Sequence, residues 1–351
     1  MPNRQIRAGV IGLMYGRYGI LPALQANPAV NVVALCSRNL EFCRATAQSH
    51  GVPDSYVSWR TMLDEAALDL VAIAVDPQAS GPMCAYALGH GTAVFAEKLP
   101  SASSTETGAL ADQAQSSGIA ACVDYIFPQL STFQAAHKTL HAGELGRVRL
   151  VTLDWVMESH DHRHGIDSWK TDVARGGGVL QHFLVHALHY LEWLCGPFES
   201  VSGALRPREA GSRSDAFATL CLRFCNGTLA TVNASNAVPG ATRHALTIWG
   251  DNGKLELHNN EADPVRGFAL RVQCGEKPEV AIRETDFIRL APDLDSRVAP
   301  TGSLIDALIA HMQHGGTANF PDLRNAQRVH QLAEAIMLSN SSNKAVYVNQ
   351  S

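Results

Sequence analysis

The sequence predicts an α/β fold: a doubly wound parallel Rossmann sheet comes first, and an α/β domain with a large, mostly antiparallel open sheet follows. Three observations favour this. A short apolar strand near the start leads into a glycine-containing loop, strands and helices alternate up to about residue 125, and hairpin signals join longer strands further on. A chain of 351 residues is long enough for two domains. We place them at residues 1–125 and 126–351.

The strands of the first domain are predicted to be short, apolar and β-prone, as central parallel strands are. They are expected at Ile6–Ile11, Val30–Cys36, Leu70–Val75, Ala93–Ala96 and Ala120–Tyr125. Helical stretches such as Leu40–His50 and Met83–Gly89 lie between them, and glycine or proline stands at most of the transitions. Phe127-Pro128 ends the alternation and marks the expected domain boundary.

The second domain is expected to open with a long strand at Gly146–Glu158, followed by a polar segment and a helix from about Leu180 to Leu194. Asn-Gly and Asp-Asn-Gly turns then indicate two hairpins. Their strands are expected at Ala218–Phe224, Leu229–Asn233, Ala245–Trp249 and Lys254–Leu257. The remaining elements are helices at Gly302–His314 and Asp322–Ser339 and a short strand at Ala345–Val348.

One face of this second sheet is predicted to be covered by helices and the other to be apolar. An apolar face of that size is expected to be covered by a partner rather than by water. The sequence therefore predicts a homodimer or homotetramer closed by symmetry.

The composition is that of a well-packed globular enzyme, with 46% hydrophobic and 17% charged residues. A formal charge of −5 leaves no global basic field, which argues against nucleic acid as a partner. No apolar run reaches the ~20 residues that span a bilayer, and the first residues lack the apolar core of a signal peptide. Eight cysteines without a C-x-x-C pair are expected to be reduced thiols, as in a cytoplasmic protein.

The loop after the first strand predicts a dinucleotide site. Gly12 allows a sharp turn, and Gly16 allows the next helix to begin close to the strand, so that a pyrophosphate can bind free N–H groups at the helix N-terminus. Met14 stands where G-x-G-x-x-G has its second glycine, Tyr15 follows it, and the loop is one residue short. An ordinary strand–turn–helix is the alternative.

The tip of the second strand indicates which nucleotide binds. An acidic residue there accepts the ribose 2′-hydroxyl, whereas an arginine accommodates a 2′-phosphate. The tip reads Cys36-Ser37-Arg38-Asn39, and the first carboxylate is Glu41. Ser37 and Arg38 therefore favour NADP(H) over NAD(H), although NAD stays possible. Alternatively, Arg38 is a solvated residue at the start of a helix.

Two later segments, taken with this loop, resemble the glucose–fructose oxidoreductase / inositol dehydrogenase / rhizopine-catabolism (Gfo/Idh/MocA) family. They are Val94–Pro100, which contains Glu97-Lys98, and Gly176–His186, which contains three consecutive glycines. Val75-Asp76-Pro77, Gly143–Gly146 and the chain from Phe320 onward are also similar. The resemblance covers nearly the whole chain.

The resemblance implies a Rossmann domain, an α/β domain whose open sheet forms the oligomer interface, and hydride transfer between NAD(P) and a sugar, cyclitol or related alcohol or ketone. It places Pro77, Glu97 and Lys98 at the cofactor. Lys98 matches the family's catalytic lysine, and His186 matches its histidine. Lys98 can stabilise negative charge on a substrate oxygen, and His186 can supply or accept a proton near neutral pH. A surface lysine and a core histidine are the alternatives.

Three positions depart from the family pattern. His182 stands where the family has a catalytic aspartate, so it can accept a proton but brings no negative charge. We expect it to share a helix face with His186, four residues on, and His189 to continue that face. Leu184 replaces a small residue. Leu99 separates Lys98 from Pro100, which is expected to shift any constrained peptide bond by one residue.

Further side chains are candidates for substrate binding: Asp124, Trp169, Lys170 and Asp172. Trp169 can stack on a sugar face, and Lys170 or Asp172 can bind hydroxyls. The polar stretch Glu158–His164 is expected to be a substrate-facing or mobile loop, or a solvated one. Fifteen histidines, several near the expected site, leave a zinc site as an alternative, but we predict no metal because the family works without one.

The expected function is thus an NADP(H)-preferring oxidoreductase for a small polar substrate. In the reductive direction Lys98 polarises a carbonyl oxygen, His186 delivers the proton, and His182 positions His186 or replaces the aspartate. Two alternatives stay open. One is a reductase of an imine or conjugated C=C bond, and the other is a catalytically silent nucleotide-binding sensor that regulates a partner protein.

Overall fold

The computed structural model describes residues 4–286 and 294–348, and these form two compact units. The first contains residues 4–126 and 294–327, and the second contains residues 127–286 and 328–348. The sequence places a boundary after residue 125 but does not predict that residues 294–327 belong to the first unit.

The elements up to residue 126 alternate regularly. The strands are β1 (Ile6–Ile11), β2 (Val30–Cys36), β3 (Asp54–Tyr56), β4 (Leu70–Ile73), β5 (Ala93–Ala96) and β6 (Ala121–Val123). The α-helices are α1 (Leu21–Ala26), α2 (Leu40–His50), α3 (Trp59–Glu65), α4 (Pro77–Gly89) and α5 (Ser104–Ser117).

The elements from 127 to 286 are richer in strands. The α-helices are α6 (Ser131–His141), α7 (His160–His164) and α8 (Val185–Cys195). The strands are β7 (Val148–Glu158), β8 (Phe198–Pro207), β9 (Asp215–Phe224), β10 (Leu229–Ser235), β11 (Ala237–Gly250), β12 (Gly253–Asn259), β13 (Ala269–Cys274) and β14 (Val280–Arg283). From 294 onward come α9 (Val298–His314), α10 (Leu323–Ser342) and β15 (Val346–Tyr347).

The first unit contains a six-stranded parallel sheet in the order β3-β2-β1-β4-β5-β6. Every residue of β4 and β5 is buried, as expected for central strands with helices on both faces. From β1 the chain first adds β2 and β3 on one side and then β4, β5 and β6 on the other, so the strand order reverses between β1 and β4. In open α/β sheets, ligands bind at the carboxyl ends of the strands at such a point. The prediction of a doubly wound parallel sheet is confirmed.

The second unit contains a nine-stranded sheet in the order β14-β13-β12-β11-β7-β10-β9-β8-β15. Its neighbouring strands are antiparallel except for β7 and β10. The prediction of a mostly antiparallel sheet is therefore confirmed. One face packs on an aromatic core in which Phe133 lies 5.1 Å, centroid to centroid, from both Tyr190 and Phe268.

The opposite face differs from the prediction of an apolar surface. Alternate residues of β9 and β10 are exposed, and they include Thr219, Thr231 and Asn233. Asn233 donates a hydrogen bond to Asp154 at 3.1 Å. Phe217, 38% exposed, and Leu229, 49% exposed, are the larger apolar side chains on these strands. The face is mixed because the outward positions carry small polar residues.

Local capping explains where two other elements differ from the prediction. α4 begins six residues before the predicted start, because the Asp76 side chain caps it and Pro77 occupies its first turn, while Pro82 lies inside the helix. The stretch expected as a loop after β7 contains the one-turn helix α7, which the Ser159 side chain caps.

No helix among the described residues is both long and apolar enough to cross a bilayer. No disulfide joins the eight cysteines, all of which lie in the described part of the chain.

Candidate functional site

The loop after β1 has the shape that a dinucleotide requires. Gly12 has φ +89°, and a Cβ atom there would lie 2.2 Å from the Ala74 carbonyl oxygen, so only glycine fits. A Cβ atom on Gly16 would lie 3.1 Å from Val10 Cγ1, so glycine also lets the helical segment begin close to β1. These two positions fit the phosphate-binding turn of a nicotinamide dinucleotide.

The segment Gly16–Ile20 is a π-turn that runs directly into α1, with the Leu21 amide donating to the Gly16 carbonyl. A π-turn holds one residue more than an α-turn. We interpret this extra residue as the reason why the glycine can come one position early while α1 continues normally. No side chain caps the start of the segment, and the Met14 side chain is 77% exposed.

The tip of β2 carries the residues expected to select the nucleotide. Ser37 is half-buried and Arg38 is exposed. Asn39 caps α2, accepting a hydrogen bond from the Phe42 amide at 3.0 Å. Glu41 is the acidic residue in the first turn of α2. The tip itself thus has a hydroxyl and a guanidinium but no carboxylate.

The carboxyl end of β5 carries Glu97 and Lys98. The Lys98 side chain is almost buried, and its Nζ lies 3.9 Å from Glu97 Oε2. The Lys98 amide also donates to Glu97 Oε2 at 3.1 Å. The expected shift of the constrained peptide bond is wrong, because the cis bond joins Lys98 and Leu99 rather than Leu99 and Pro100. Proline is therefore not what places it there.

Asp124 follows β6 and is 1% exposed. Thr301 Oγ1 lies 3.2 Å from Asp124 Oδ1 and 3.2 Å from the Tyr15 hydroxyl, so a buried chain of hydrogen bonds links these three side chains. Burial raises the pKa of the Asp124 carboxyl well above its usual value, and the nearby Glu97 carboxylate raises that pKa further. Because Asp124 is so deeply buried, it is better suited to a role in this hydrogen-bond network than to direct contact with a substrate.

Tyr15 connects this network of hydrogen bonds to the glycine loop. Arg297 lies over the Tyr15 ring, 4.5 Å from the guanidinium carbon to the ring centroid, and pairs with Asp295 at 2.5 Å. Burial raises the pKa of the Tyr15 phenol, so it stays neutral. Sequence reasoning missed Arg297 and Thr301, since no local motif surrounds them.

In the second unit, two consecutive glycines bring the backbone against other groups. Gly178 has φ +91°, and a Cβ atom there would lie 2.1 Å from Asp215 Oδ1. A Cβ atom on Gly177 would lie 2.3 Å from the Trp169 carbonyl oxygen. The Asp215 carboxylate accepts from the Leu180 amide at 2.9 Å, and burial raises its pKa. Sequence reasoning missed Asp215. The signal that could have found it is an acidic residue at the start of a strand with alternating apolar and polar side chains.

His182 and His186 lie on one continuous helical stretch whose first part, Val179–Leu184, is π-type and whose second part is α8. The His182 ring meets Trp169 and Phe183 at centroid distances of 5.4 and 4.5 Å. The His186 ring meets Phe127 at 5.4 Å. Both histidines are half-buried, so a general acid–base role stays chemically possible.

His189 is buried in the interior of α8. Burial lowers its pKa to about 3, with a contribution from Arg328, so the ring is neutral at physiological pH. It serves the core of the second unit and is unsuited to proton exchange with a substrate.

The segment before the glycines is a tight turn. The Ser168 hydroxyl caps the start of this turn by accepting a hydrogen bond from the Lys170 amide at 3.1 Å. The Asp172 carboxylate accepts from the Ala174 amide at 3.1 Å and lies 3.5 Å from an Arg213 nitrogen. Trp169 is thus the predicted substrate residue of this turn that contacts His182, whereas Asp172 already has an ion-pair partner.

Among residues 4–286 and 294–348, no three His, Cys, Asp or Glu side chains are grouped so that they could hold a metal ion. In the histidine-rich helix α7, His162 Nδ1 lies 2.9 Å from the Ser159 hydroxyl, so this ring nitrogen has a hydrogen-bond partner within the protein. A cavity of about 290 Å³ lies in the second unit and is lined by Leu180, Gln181, Asp215, Met337 and Asn340 among others.

Two family models match the chain. Residues 6–125 match the oxidoreductase family with an NAD-binding Rossmann fold, and residues 133–256 match the GFO/IDH/MocA C-terminal domain.

Curated proteins and a solved structure match over most of the chain. A dTDP-3,4-didehydro-2,6-dideoxy-α-D-glucose 3-reductase of Streptomyces violaceoruber is 25% identical, covering 95% of this chain and 94% of its own. A D-xylose 1-dehydrogenase (NADP(+)) of Haloferax volcanii is 24% identical, covering 85% and 98%. The levoglucosan dehydrogenase complex with NADH has a TM-score of 0.88 at 18% identity, covering 99% of this chain and 100% of its own.

Proposed function

Because the chain belongs to the Gfo/Idh/MocA family of oxidoreductases, we propose that it transfers hydride between NADP(H) and a sugar, cyclitol or related polar alcohol or ketone. The observation that carries the proposal is the nearly buried Lys98 at the carboxyl end of β5, in a parallel sheet whose first loop fits a dinucleotide. The sugar reductase and the xylose dehydrogenase among its relatives support the substrate class.

The preference for NADP(H) is supported by Ser37 and Arg38 at the tip of β2. The xylose dehydrogenase among the relatives carries NADP(+) in its name, whereas levoglucosan dehydrogenase was solved with NADH. The family therefore includes both nucleotides, and the choice in this chain depends on its own side chains. Arg38 supplies the charge that a 2′-phosphate needs.

We assign the chemical roles as follows. A bound nicotinamide supplies or takes up the hydride. Lys98 donates a hydrogen bond to the substrate oxygen and stabilises the negative charge that develops there, with Glu97 holding the ammonium in place. His186 exchanges the proton with that oxygen. His182 positions His186 or takes over the role that an aspartate has elsewhere in the family.

His182 also favours a second candidate function. A histidine at the aspartate position removes a negative charge that holds a cationic acid–base partner. A reductase of an imine or conjugated C=C bond needs such a carboxylate less than an alcohol dehydrogenase does. A silent nucleotide-binding sensor is the third candidate, and it differs from the other two in having no turnover.

Turnover separates these candidates. The purified protein is incubated with NADPH and a panel of sugars, keto-sugars, cyclic imines and enones, and nucleotide oxidation is followed by absorbance. The sugar assignment predicts activity with keto-sugars, and His182→Asp should keep that activity with a shifted pH profile. Activity confined to imines or enones, impaired by His182→Asp, would instead support the second candidate. NADPH binding without any turnover would support the sensor.

A further inference from the structure

Arg17 is a cation whose placement the glycine loop does not explain. It directly follows Gly16, and its guanidinium carbon lies 4.3 Å from the Tyr18 ring centroid and 5.0 Å from the Phe42 ring centroid. One of its terminal nitrogens donates to the Tyr18 hydroxyl. Two aromatic rings thus hold this guanidinium in place.

The guanidinium is not neutralised. Within residues 4–286 and 294–348, Arg17 forms no ion pair with a carboxylate, and its buried Nε has no hydrogen-bond partner. Most arginines at this depth pair with an acid or a carbonyl, because a buried donor without a partner costs stability. An anionic ligand at the terminal nitrogens of the guanidinium would balance this charge.

The contact with Phe42 places Arg17 beside the first turn of α2. The Phe42 amide is bound by the Asn39 side chain, and Asn39 directly follows Ser37 and Arg38 at the tip of β2. Arg17 therefore lies on the same side of α2 as its first turn, which Arg38 precedes by two positions and which contains one acid, Glu41. The N-terminus of an 11-residue helix adds to the attraction for an anion.

We propose that Arg17 is a second cationic group of a site for the 2′-phosphate of an adenine nucleotide, acting with Ser37 and Arg38. Arg17 can have this role only if the first unit binds NADP(H), so the inference rests on the proposed function. It adds a residue that selects the nucleotide from the loop after β1, whereas the sequence alone points only to the tip of β2.

Binding of nucleotide fragments tests this role without turnover. Adenosine 2′,5′-bisphosphate and AMP, which differ only in the 2′-phosphate, are titrated into the protein by calorimetry. The wild type should bind the bisphosphate more tightly. Arg17→Met keeps the aliphatic packing on the rings but should weaken bisphosphate binding by about 10- to 100-fold, the worth of a hydrogen bond to a charged group. The affinity of Arg17→Met for AMP should not change, and Arg17→Lys should lose less bisphosphate binding.

Arg4→Met is the matched control. Arg4 is an exposed arginine of the same unit that pairs with Asp69, beside the amino end of β1 and away from the carboxyl ends of the strands. The Arg4→Met substitution removes the same charge as Arg17→Met and should leave the affinities for both nucleotide fragments unchanged. Arg38→Met should resemble Arg17→Met.

Three results would overturn the assignment of Arg17. Equal losses of AMP and bisphosphate binding in Arg17→Met would make it an adenine-stacking or structural residue, and no loss would remove it from the site. If the wild type binds both fragments equally, there is no 2′-phosphate site. Turnover of keto-sugars with NADH would still establish the oxidoreductase in that case, so the two failures can be told apart.

Discussion

Lys98 combines burial with a position at the carboxyl end of a parallel strand, where folds of this kind bind ligands. Its side chain is 7% exposed and its ammonium lies 3.9 Å from the Glu97 carboxylate. Ordinary surface lysines are mobile and fully hydrated, so they stabilise a developing oxyanion poorly. The apolar run before Glu97-Lys98 predicts that Lys98 lies at the end of a strand, whereas its catalytic role is implied by the resemblance to the family and stays a prediction.

Replacing Lys98 by methionine should lower turnover by about 10²-fold or more, because the charge that stabilises the substrate oxygen is lost. Methionine keeps a side chain of similar length. His186→Asn should lower it by ~10² to 10⁴ through loss of the acid–base group. Steady-state kinetics and calorimetric titration of NADPH measure the two effects, and cofactor affinity should change little.

Lys138→Met provides the control, since Lys138 is an exposed lysine of α6. Its turnover should equal that of the wild type. Lys98→Met and His186→Asn proteins that both retain full activity would remove these residues from the proposed chemistry.

Other site residues were beyond prediction for a physical reason. Thr301 lies 177 positions from Asp124 in sequence, yet the two side chains are hydrogen bonded. Asp215 lies 35 positions from Leu180, whose amide it binds. Local patterns report strand and helix periodicity but contain no information on which distant hydroxyl or carboxylate reaches a given group. Such contacts emerge only from the fold.

At the scale of elements, regular strands and helices were better predicted than irregular helical turns and caps. The limits of β1, β2, β5 and α2 agree with the sequence, because apolar runs and glycine stops define them. The π-type stretches at Gly16–Ile20 and Val179–Leu184 were not foreseen. Both begin next to glycines packed against a neighbouring group, so tertiary contacts rather than local propensity set their geometry.

Gly178 tests the importance of this geometry. Gly178→Ala places a methyl group on the Asp215 carboxylate in a backbone conformation that costs alanine about 1–3 kcal/mol by itself. We expect a clear fall in the midpoint of thermal unfolding, measured by circular dichroism, together with loss of turnover, since the stretch carrying His182 would shift.

Gly165→Ala is the milder comparison, because Gly165 has the left-handed conformation φ +62°, ψ 33° and open space where a Cβ atom would lie. It should lower the midpoint less and leave turnover largely intact. Equal effects of the two substitutions would show that neither the contact with Asp215 nor the conformation of Gly178, φ +91° and ψ 174°, makes glycine more necessary there.

For the whole molecule, the open face of the nine-stranded sheet bears on assembly. Its mixture of threonine, asparagine and partly exposed Phe217 and Leu229 is less apolar than expected. Interfaces of homo-oligomers accept polar rims and small side chains as well as apolar ones. The prediction of a homodimer or homotetramer therefore stands on a sheet face of mixed polarity.

Light scattering at micromolar concentration should give a mass of two or four chains. Thr231→Arg, in the middle of β10, should reduce that mass by adding a bulky charge to the open face. Thr105→Arg, the same substitution on the exposed surface of α5 in the first unit, should not change it. A wild type of one chain mass would refute the prediction, and a Thr231→Arg protein of unchanged mass would place the interface elsewhere.

The discontinuity of the first unit has a consequence for biosynthesis. Asp124 and Tyr15 emerge early from the ribosome, whereas their partner Thr301 is translated 177 residues after Asp124. At about 5–20 residues per second, that interval lasts roughly 10–35 s. During it Asp124 has no Thr301 hydroxyl to donate to its carboxylate. A polypeptide released before α9 is complete would therefore lack part of the first unit, however long its second unit had already become.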